Sequence, residues 1–334
     1  MTDAIDIMPS DLIGGEIVAG VDIGGTNTAV GFVGEDGRVI LRSTFPTGGR
    51  GTAGEFVDLL SRTIRWMAEK LPSHASLRAI GMAAPAADGR TGMLESPANL
   101  NWGSVDLAAM VRERFDLPVA ITNDANAALL GEMYYGAAQG MSNVTMITLG
   151  TGLGVGAVIN GALVLGAHGA AGEFGHITMA VEGRFCGCGR RGCAETYVSA
   201  PGLRRTVFEL LALRLEESAL RHISFSSLTA EDVSKHALQG DTLATEAFNI
   251  TGWYLGRLIA DVALAFDPEA VILFGGLMNA GDLLVVPARR SFEEHALAIA
   301  RGRIRILVSA LNDGRAAILG ASRLVRDALL EQCP

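Results

Sequence analysis

Lysine is nearly missing from this chain. Only Lys70 and Lys235 occur in 334 residues, and neither follows a glycine-rich loop. A Walker phosphate loop, which ends in Gly-Lys-Ser/Thr, is therefore excluded, and any phosphate must be held by another device. Basic charge is in deficit as well: the formal net charge is −9 and the isoelectric point about 5.2, so nucleic acid and anionic membranes would be repelled. The opening segment MTDAIDIMPSDLIGGEIV lacks the basic end and apolar core of a signal peptide; about fifteen flexible residues ahead of the first strand and a cytoplasmic location are expected. Charge disappears entirely from Met133 to Gly172, which a hydropathy window could take for a membrane span. Eight glycines from Val144 to Gly172, and Asn160-Gly161 between two apolar runs, favour buried strands joined by a hairpin instead. Cysteine is scarce too, and three of the four fall in one short stretch, FCGCGRRGCAE, from Phe185 to Glu195.

With 49% hydrophobic residues and 42 glycines, the chain can build a sizeable core in a loop-rich α/β protein, and its length suits two domains. Residues 16–46 read as strand, glycine turn, strand, turn at Gly34 to Gly37, strand. A helix is predicted from about Ala53 to Leu71, where Phe56, Leu59, Leu60, Ile64 and Met67 recur at helical spacing. The strand LRAIGMAA, a helix from Val105 to Phe115, the strand LPVAITND and the helix ANAALLGEMYYGAA follow. The pattern then restarts at NVTMITLGTGLGVGAVINGALVL, which suggests a duplicated three-strand unit. Helices are expected at Pro201 to Leu220, Ala230 to Leu238 and Thr242 to Phe266. The strand AVILFGG, a helix, the strand RIRILVSAL and a closing helix from about Arg315 to Leu330 complete the chain.

Three glycine turns end apolar strands: VDIGGTNT, LGTGLGVG and LFGG. Glycine lets backbone N–H groups approach an anion, so together these suggest a nucleotide cradle, with Asp22 able to hold magnesium through water. Taken alone, VDIGGTNT could equally be a tight hairpin with a strand-end Asp. Asn123 and Asp124 stand where a strand gives way to a helix. Asp124 there is either an N-cap or a carboxylate able to take a proton from a substrate hydroxyl.

His176 lies ten residues before Cys186, giving the pattern His, nine residues, Cys, one, Cys, four, Cys. Three thiolates and an imidazole make a closed tetrahedral zinc set, with Cys186, Cys188, Cys193 and His176 as ligands. The alternative is a pair of structural thiols beside a chance histidine. A site with four protein ligands has no open position, so the metal would be structural. One imidazole nitrogen on zinc leaves the other fixed in tautomer and direction. Cys333 reads as a bystander.

From about Ile17 to Leu330 the chain resembles the ROK group (repressors, open reading frames and sugar kinases) of the hexokinase and actin-like superfamily, most specifically in GEFGHITM followed by CGCGRRGCAET. The resemblance implies an α/β fold of two ribonuclease-H-like lobes, each a βββαβαβα unit, with ATP and sugar in the cleft. Residues 1–15 would be a flexible N-terminus, 16–138 the N-terminal lobe and 139–334 the C-terminal lobe, its final helix free to pack back on the first. It implies ATP-dependent phosphorylation of glucose at O6, with N-acetylmannosamine, N-acetylglucosamine or fructose as alternative acceptors. Asp124 would be the general base; Asn99, Asn123, Glu173, His176 and Glu195 would hold sugar hydroxyls. Gly24, Gly25, Thr26, Thr151 and Gly152 would contact phosphates, Asp22 the Mg2+, and Gly275 and Gly276 the adenosine. Asn27, where the family often has Lys, and Ala86, where glycine is usual, depart from the pattern. A homodimer or tetramer is implied, with sugar and ATP as partners and neither nucleic acid nor membrane. The rival from another class is a sugar-responsive repressor, which would need a helix-turn-helix ahead of the lobes.

Overall fold

The computed structural model describes residues 15–48, 51–97, 100–311 and 314–330, with side chains to residue 328. The chain opens with β1 (Glu16–Ile23), β2 (Asn27–Val33) and β3 (Val39–Pro46), then α1 (Ala53–Ala68) and β4 (Ser76–Ala83). Two-residue strands β5 (Met93–Leu94) and β6 (Val105–Asp106) precede α2 (Leu107–Phe115), β7 (Val119–Thr122) and α3 (Asp124–Tyr135). There follow β8 (Val144–Leu149), β9 (Leu153–Ile159), β10 (Ala162–Leu163), α4 (Ala200–Leu213), α5 (Ala230–Leu238), α6 (Thr242–Phe266), β11 (Ala270–Phe274), α7 (Asp282–His295) and β12 (Arg305–Val308), and the chain closes with α8 (Ala316–Leu330).

These elements form two units. The first takes the described residues up to Gly140, then 165–171, then everything from Ala310; the second takes 141–164 and 172–309. Each holds a five-stranded sheet, ordered β3-β2-β1-β4-β7 in the first and β10-β9-β8-β11-β12 in the second. In both, the first three strands are antiparallel and the last two join in parallel. The duplicated unit expected from the restart is thus present as matching strand order, and the uncharged stretch forms sheet between Val144 and Leu163. Asn160 and Gly161 carry φ of 50° and 79°, the left-handed pair of a tight hairpin. Among the described residues no helix is long and apolar enough to cross a membrane.

In the first unit α1 and α2 cover one face of the sheet, burying Phe56, Leu60, Ile64 and Val111 against Val21, Phe32 and Ile80. Helix α8 covers the other face at main-chain distance. A Cβ at Gly20 or Gly81 would collide with the carbonyls of Ile318 or Ala321, and one at Gly131 or Gly320 would block the α3–α8 crossing. Glu132 of α3, fully buried, accepts from the N–H groups of Ala137, Ala310 and Leu311, tying the entry to α8 to this unit. In the second unit α4 to α7 bury Val207, Phe248, Leu255 and Phe292 with Leu273 of the sheet.

Helix bounds differ from those predicted: α1 stops at Ala68 rather than about Leu71, α3 runs Asp124–Tyr135 rather than 125–138, and α2 and α4 differ for reasons the structure shows. Val105–Asp106 is a strand paired with Met93–Leu94, and Asp106 caps α2 by accepting from Ala109 N–H at 2.8 Å. Helix α4 stops at Leu213, not Leu220. The Arg221 guanidinium folds back onto the carbonyls of Leu211 (2.9 Å) and Arg214 (2.6 Å), satisfying acceptors that further helix would have used.

Candidate active site

In the first unit β1 delivers Asp22 to the mouth of the turn through Gly24, Gly25 and Thr26. Thr47, buried just past β3, holds that turn: its N–H donates to the Thr26 carbonyl (2.9 Å) and its hydroxyl to the Gly24 carbonyl (2.7 Å). Because a trans peptide sets N–H opposite C=O, the Gly25 N–H faces away from Thr47 as a donor. Burial, and next the nearby Asp124 carboxylate, push Asp22 up to about 6, with Arg42 opposing. Two like-charged carboxylates beside a glycine turn fit a divalent cation, whose charge would remove that penalty.

Asn123, not Asp124, is the N-cap of α3. Its Oδ1 accepts from Asn126 N–H at 2.7 Å, leaving its NH2 group as the remaining donor. Asp124 is the first helical residue, exposed, with Oδ1 2.9 Å from Ala125 N–H at the positive end of the helix. Ala86 takes φ 55°, so the loop after β4 keeps a left-handed turn although it carries a side chain there. Asn99 lies outside the described residues.

In the second unit β8 ends in the turn Gly150–Gly152. Ala200 N–H donates to the Gly150 carbonyl (2.9 Å), and Thr148 accepts from Gly154 N–H (3.1 Å). Leu153 N–H donates to the Glu195 carboxylate at 3.0 Å, and Gly152 leaves room for it, since a Cβ there would lie 2.7 Å from Glu195 Oε2. Thr151 is exposed at the tip. Gly275 follows β11 with φ 110°, where a Cβ would press on the Leu149 backbone. Gly276, Leu277, Asn279 and Ala280, with Ala230, Glu231 and Ser234 of α5, line a pocket of about 330 Å³. Larger pockets of about 520 and 770 Å³ are lined by none of the predicted site residues.

The ligand atoms of His176, Cys186, Cys188 and Cys193 all lie within 4.8 Å of one another. Cys186 Sγ is 3.6 Å from His176 Nδ1, and Cys188 Sγ is 3.7 Å from Cys193 Sγ. A tetrahedral zinc with bonds of about 2.3 Å to sulfur and about 2.0 Å to nitrogen has edges of roughly 3.8 and 3.5 Å, so the donor set fits. Burial pushes the Cys193 thiol up to about 12 and also raises Cys186, whereas the Arg190 backbone N–H lowers Cys188. Only a cation could hold all three as thiolates near neutrality. His176 Nε2 faces Glu173 Oε2 at 3.8 Å, so the two ring nitrogens divide between the cysteines and the carboxylate.

The first unit thus gathers Asp22, Gly24, Gly25, Thr26, Asn123 and Asp124. The second gathers Thr151, Gly152, Glu195, Glu173, His176 and the three cysteines, with Gly275 and Gly276 after their own strand. Two residues escaped sequence reading. Thr47 braces the first turn and Arg184 the cysteine loop; an isolated threonine and one arginine among several carry no motif, so nothing local marked them.

Comparison with known proteins matches residues 18–328 to the ROK family. A glucokinase from Halalkalibacterium halodurans is 36% identical over 314 residues, 92% of this chain and 94% of that protein. The crystal structure of a ROK family glucokinase from Streptomyces griseus in complex with glucose and AMPPNP is 35% identical, with a TM-score of 0.77 over 93% of this chain and 99% of its own. A ROK family transcriptional regulator, a homolog of the E. coli MLC protein, superposes with a TM-score of 0.82 at 26% identity, over 94% of this chain and 78% of its own.

Proposed function

The chain belongs to the ROK family, and on that premise we propose that it is an ATP-dependent hexose kinase that transfers the γ-phosphoryl group to the 6-hydroxyl of glucose. The observation that carries this reading is its similarity, over more than nine-tenths of both chains, to a glucokinase whose structure holds glucose and AMPPNP.

In this reading Asp124 accepts the proton of the sugar O6 as that oxygen attacks phosphorus. Its place at the first turn of α3, with the cap assigned to Asn123, leaves the carboxylate exposed for this duty. The Asn123 amide, Glu173, His176 Nε2, Glu195 and Asn99 meet the other hydroxyls. The glycine turns at Gly24–Thr26 and Thr151–Gly152 offer N–H and hydroxyl donors to the phosphates, and the pocket beside Gly275 and Gly276 takes the adenosine. Magnesium, bound near Asp22, supplies neutralising charge to the phosphates. Zinc, bound by His176 Nδ1, Cys186, Cys188 and Cys193, is structural and orients the imidazole. The reading carries with it a cytoplasmic location and a homodimer or tetramer, which size-exclusion chromatography with light scattering would test.

The decisive experiment is a coupled ADP-release assay over glucose, fructose, mannose, N-acetylglucosamine and N-acetylmannosamine, with Mg-ATP as donor. Glucose is expected to give the highest kcat/KM. A higher value for an N-acetylhexosamine would reassign the acceptor, and no ADP release with any sugar would overturn the reading.

A further inference from the structure

Arg184 stands two residues before Cys186, and all five of its guanidinium N–H donors are engaged. Nε and Nη2 donate to the Glu209 carboxylate (2.8 and 2.6 Å), Nη2 also to the Thr206 hydroxyl (2.9 Å), and Nη1 to the carbonyls of Thr196 (2.7 Å) and Gly202 (3.1 Å). The guanidinium lies over the Tyr197 ring at 4.4 Å, and that ring stacks on Tyr254 of α6 at 4.1 Å. Its backbone joins in: Arg184 N–H donates to Tyr197 Oη (3.2 Å), and its carbonyl accepts from Gly192 N–H (2.8 Å). The side chain is only 10% exposed, so a charge withdrawn from water is matched donor by donor.

Glu195 therefore sits between two anchors. Cys193, two residues earlier, belongs to the metal cluster; Thr196, one residue later, belongs to Arg184. The Glu195 carboxylate accepts from Leu153 N–H (3.0 Å) and lies 3.8 Å from Cys186 Sγ, and its carbonyl accepts from the Ser199 hydroxyl (2.7 Å). We propose that Arg184 is a positioning residue for the acceptor sugar, one that fixes Glu195 through Thr196 and Tyr197 independently of the metal. The proposal rests on the kinase reading for what Glu195 binds. Lysine cannot replace this arginine, because an ammonium has three donors around one point and no planar fork to reach five separated acceptors or stack on tyrosine.

The test compares Arg184→Met and Arg184→Lys with the wild-type zinc-loaded protein by zinc content, amide hydrogen exchange over residues 194–198, and glucose kinetics. In both variants zinc content should be unchanged, exchange over that segment should quicken about tenfold, and KM for glucose should rise roughly tenfold with kcat within about threefold. Glu209→Gln, which removes the charge and one of the two acceptor oxygens of the half-exposed partner, should move exchange and KM the same way by less, and it serves if either Arg184 variant fails to fold. Unchanged exchange and KM in a folded variant would overturn the proposal, as would rescue by lysine. Zinc lost in step with the substitution would also overturn it, since Arg184 would then act through the metal. If the wild-type protein phosphorylates no sugar, the kinase reading and the sugar part fall together, while zinc content and exchange still decide whether the brace exists.

Discussion

The two units share a strand order but support their glycine turns by different means. In the first, β3 runs eight residues and delivers Thr47 just past its end, which supplies a neutral hydroxyl and N–H to the turn. In the second, the corresponding strand β10 has two residues, and the turn is met by the Glu195 carboxylate, which comes from the cysteine loop. One brace directly continues a sheet strand; the other depends on a loop with little regular structure, held by a cluster and an arginine. Conserving a topology does not conserve what stiffens it. The first turn should be indifferent to zinc, and the second should not.

The largest effect should separate chemistry from holding. Asp124→Asn is expected to lower kcat by about a thousandfold or more while calorimetry still registers glucose binding; near-normal turnover would remove the base from the first unit. Next comes the metal. Cys193→Ser, at a fully buried ligand, or chelation should raise the glucose KM by roughly a hundredfold or unfold the second unit, with α1 and the first sheet retaining their exchange protection. Full glucose affinity in a folded, zinc-free protein would erase the contrast.

Asp22 sharpens the comparison through pH. Its carboxyl holds a proton up to about 6 in the folded chain against a reference of 3.8, so the folded state binds the extra proton between those values. Its contribution to stability is therefore fully present below about pH 4 and lost as pH rises through about 6. Asp22→Asn should abolish that slope and melt higher than wild type at pH 8 in metal-free buffer, by up to about 3 kcal/mol, while losing Mg-ATP turnover. A wild-type melting temperature flat from pH 4 to 7 with an unaltered variant would contradict the buried carboxylate. Thr47→Val, which removes the hydroxyl's bonds to the Gly24 carbonyl (2.7 Å) and the Thr28 hydroxyl (2.9 Å), should raise the KM for ATP by a few fold, about 1 kcal/mol, with zinc content unchanged. The smallest change is Ala86→Gly, expected to stabilise by about 0.5–1 kcal/mol because φ 55° strains alanine; a lower melting temperature would speak against that strain.

Much of this was written locally. Alternation and glycine turns marked both three-strand openings, Asn160-Gly161 marked its hairpin, and the Cys-His spacing marked a cluster that the fold brings within 4.8 Å. The exchange of capping duty between Asn123 and Asp124 was not visible, because either side chain can cap and only the backbone angle at Asn123 decides. Nor was the end of α4, which Arg221 sets from eight residues beyond it.

By itself, then, the sequence determined the order of elements, the turns and the ligand set, since each depends on side chains within a few positions of one another. Only the tertiary structure decided that Thr47 props the first turn, that Arg184 ties Thr196 of the Glu195 segment to Gly202, Thr206 and Glu209 of α4, that His176 presents Nδ1 to the cysteines, and that burial pushes Asp22 up to about 6. Those outcomes depend on distances and desolvation between segments far apart in the chain, and no local pattern encodes a distance.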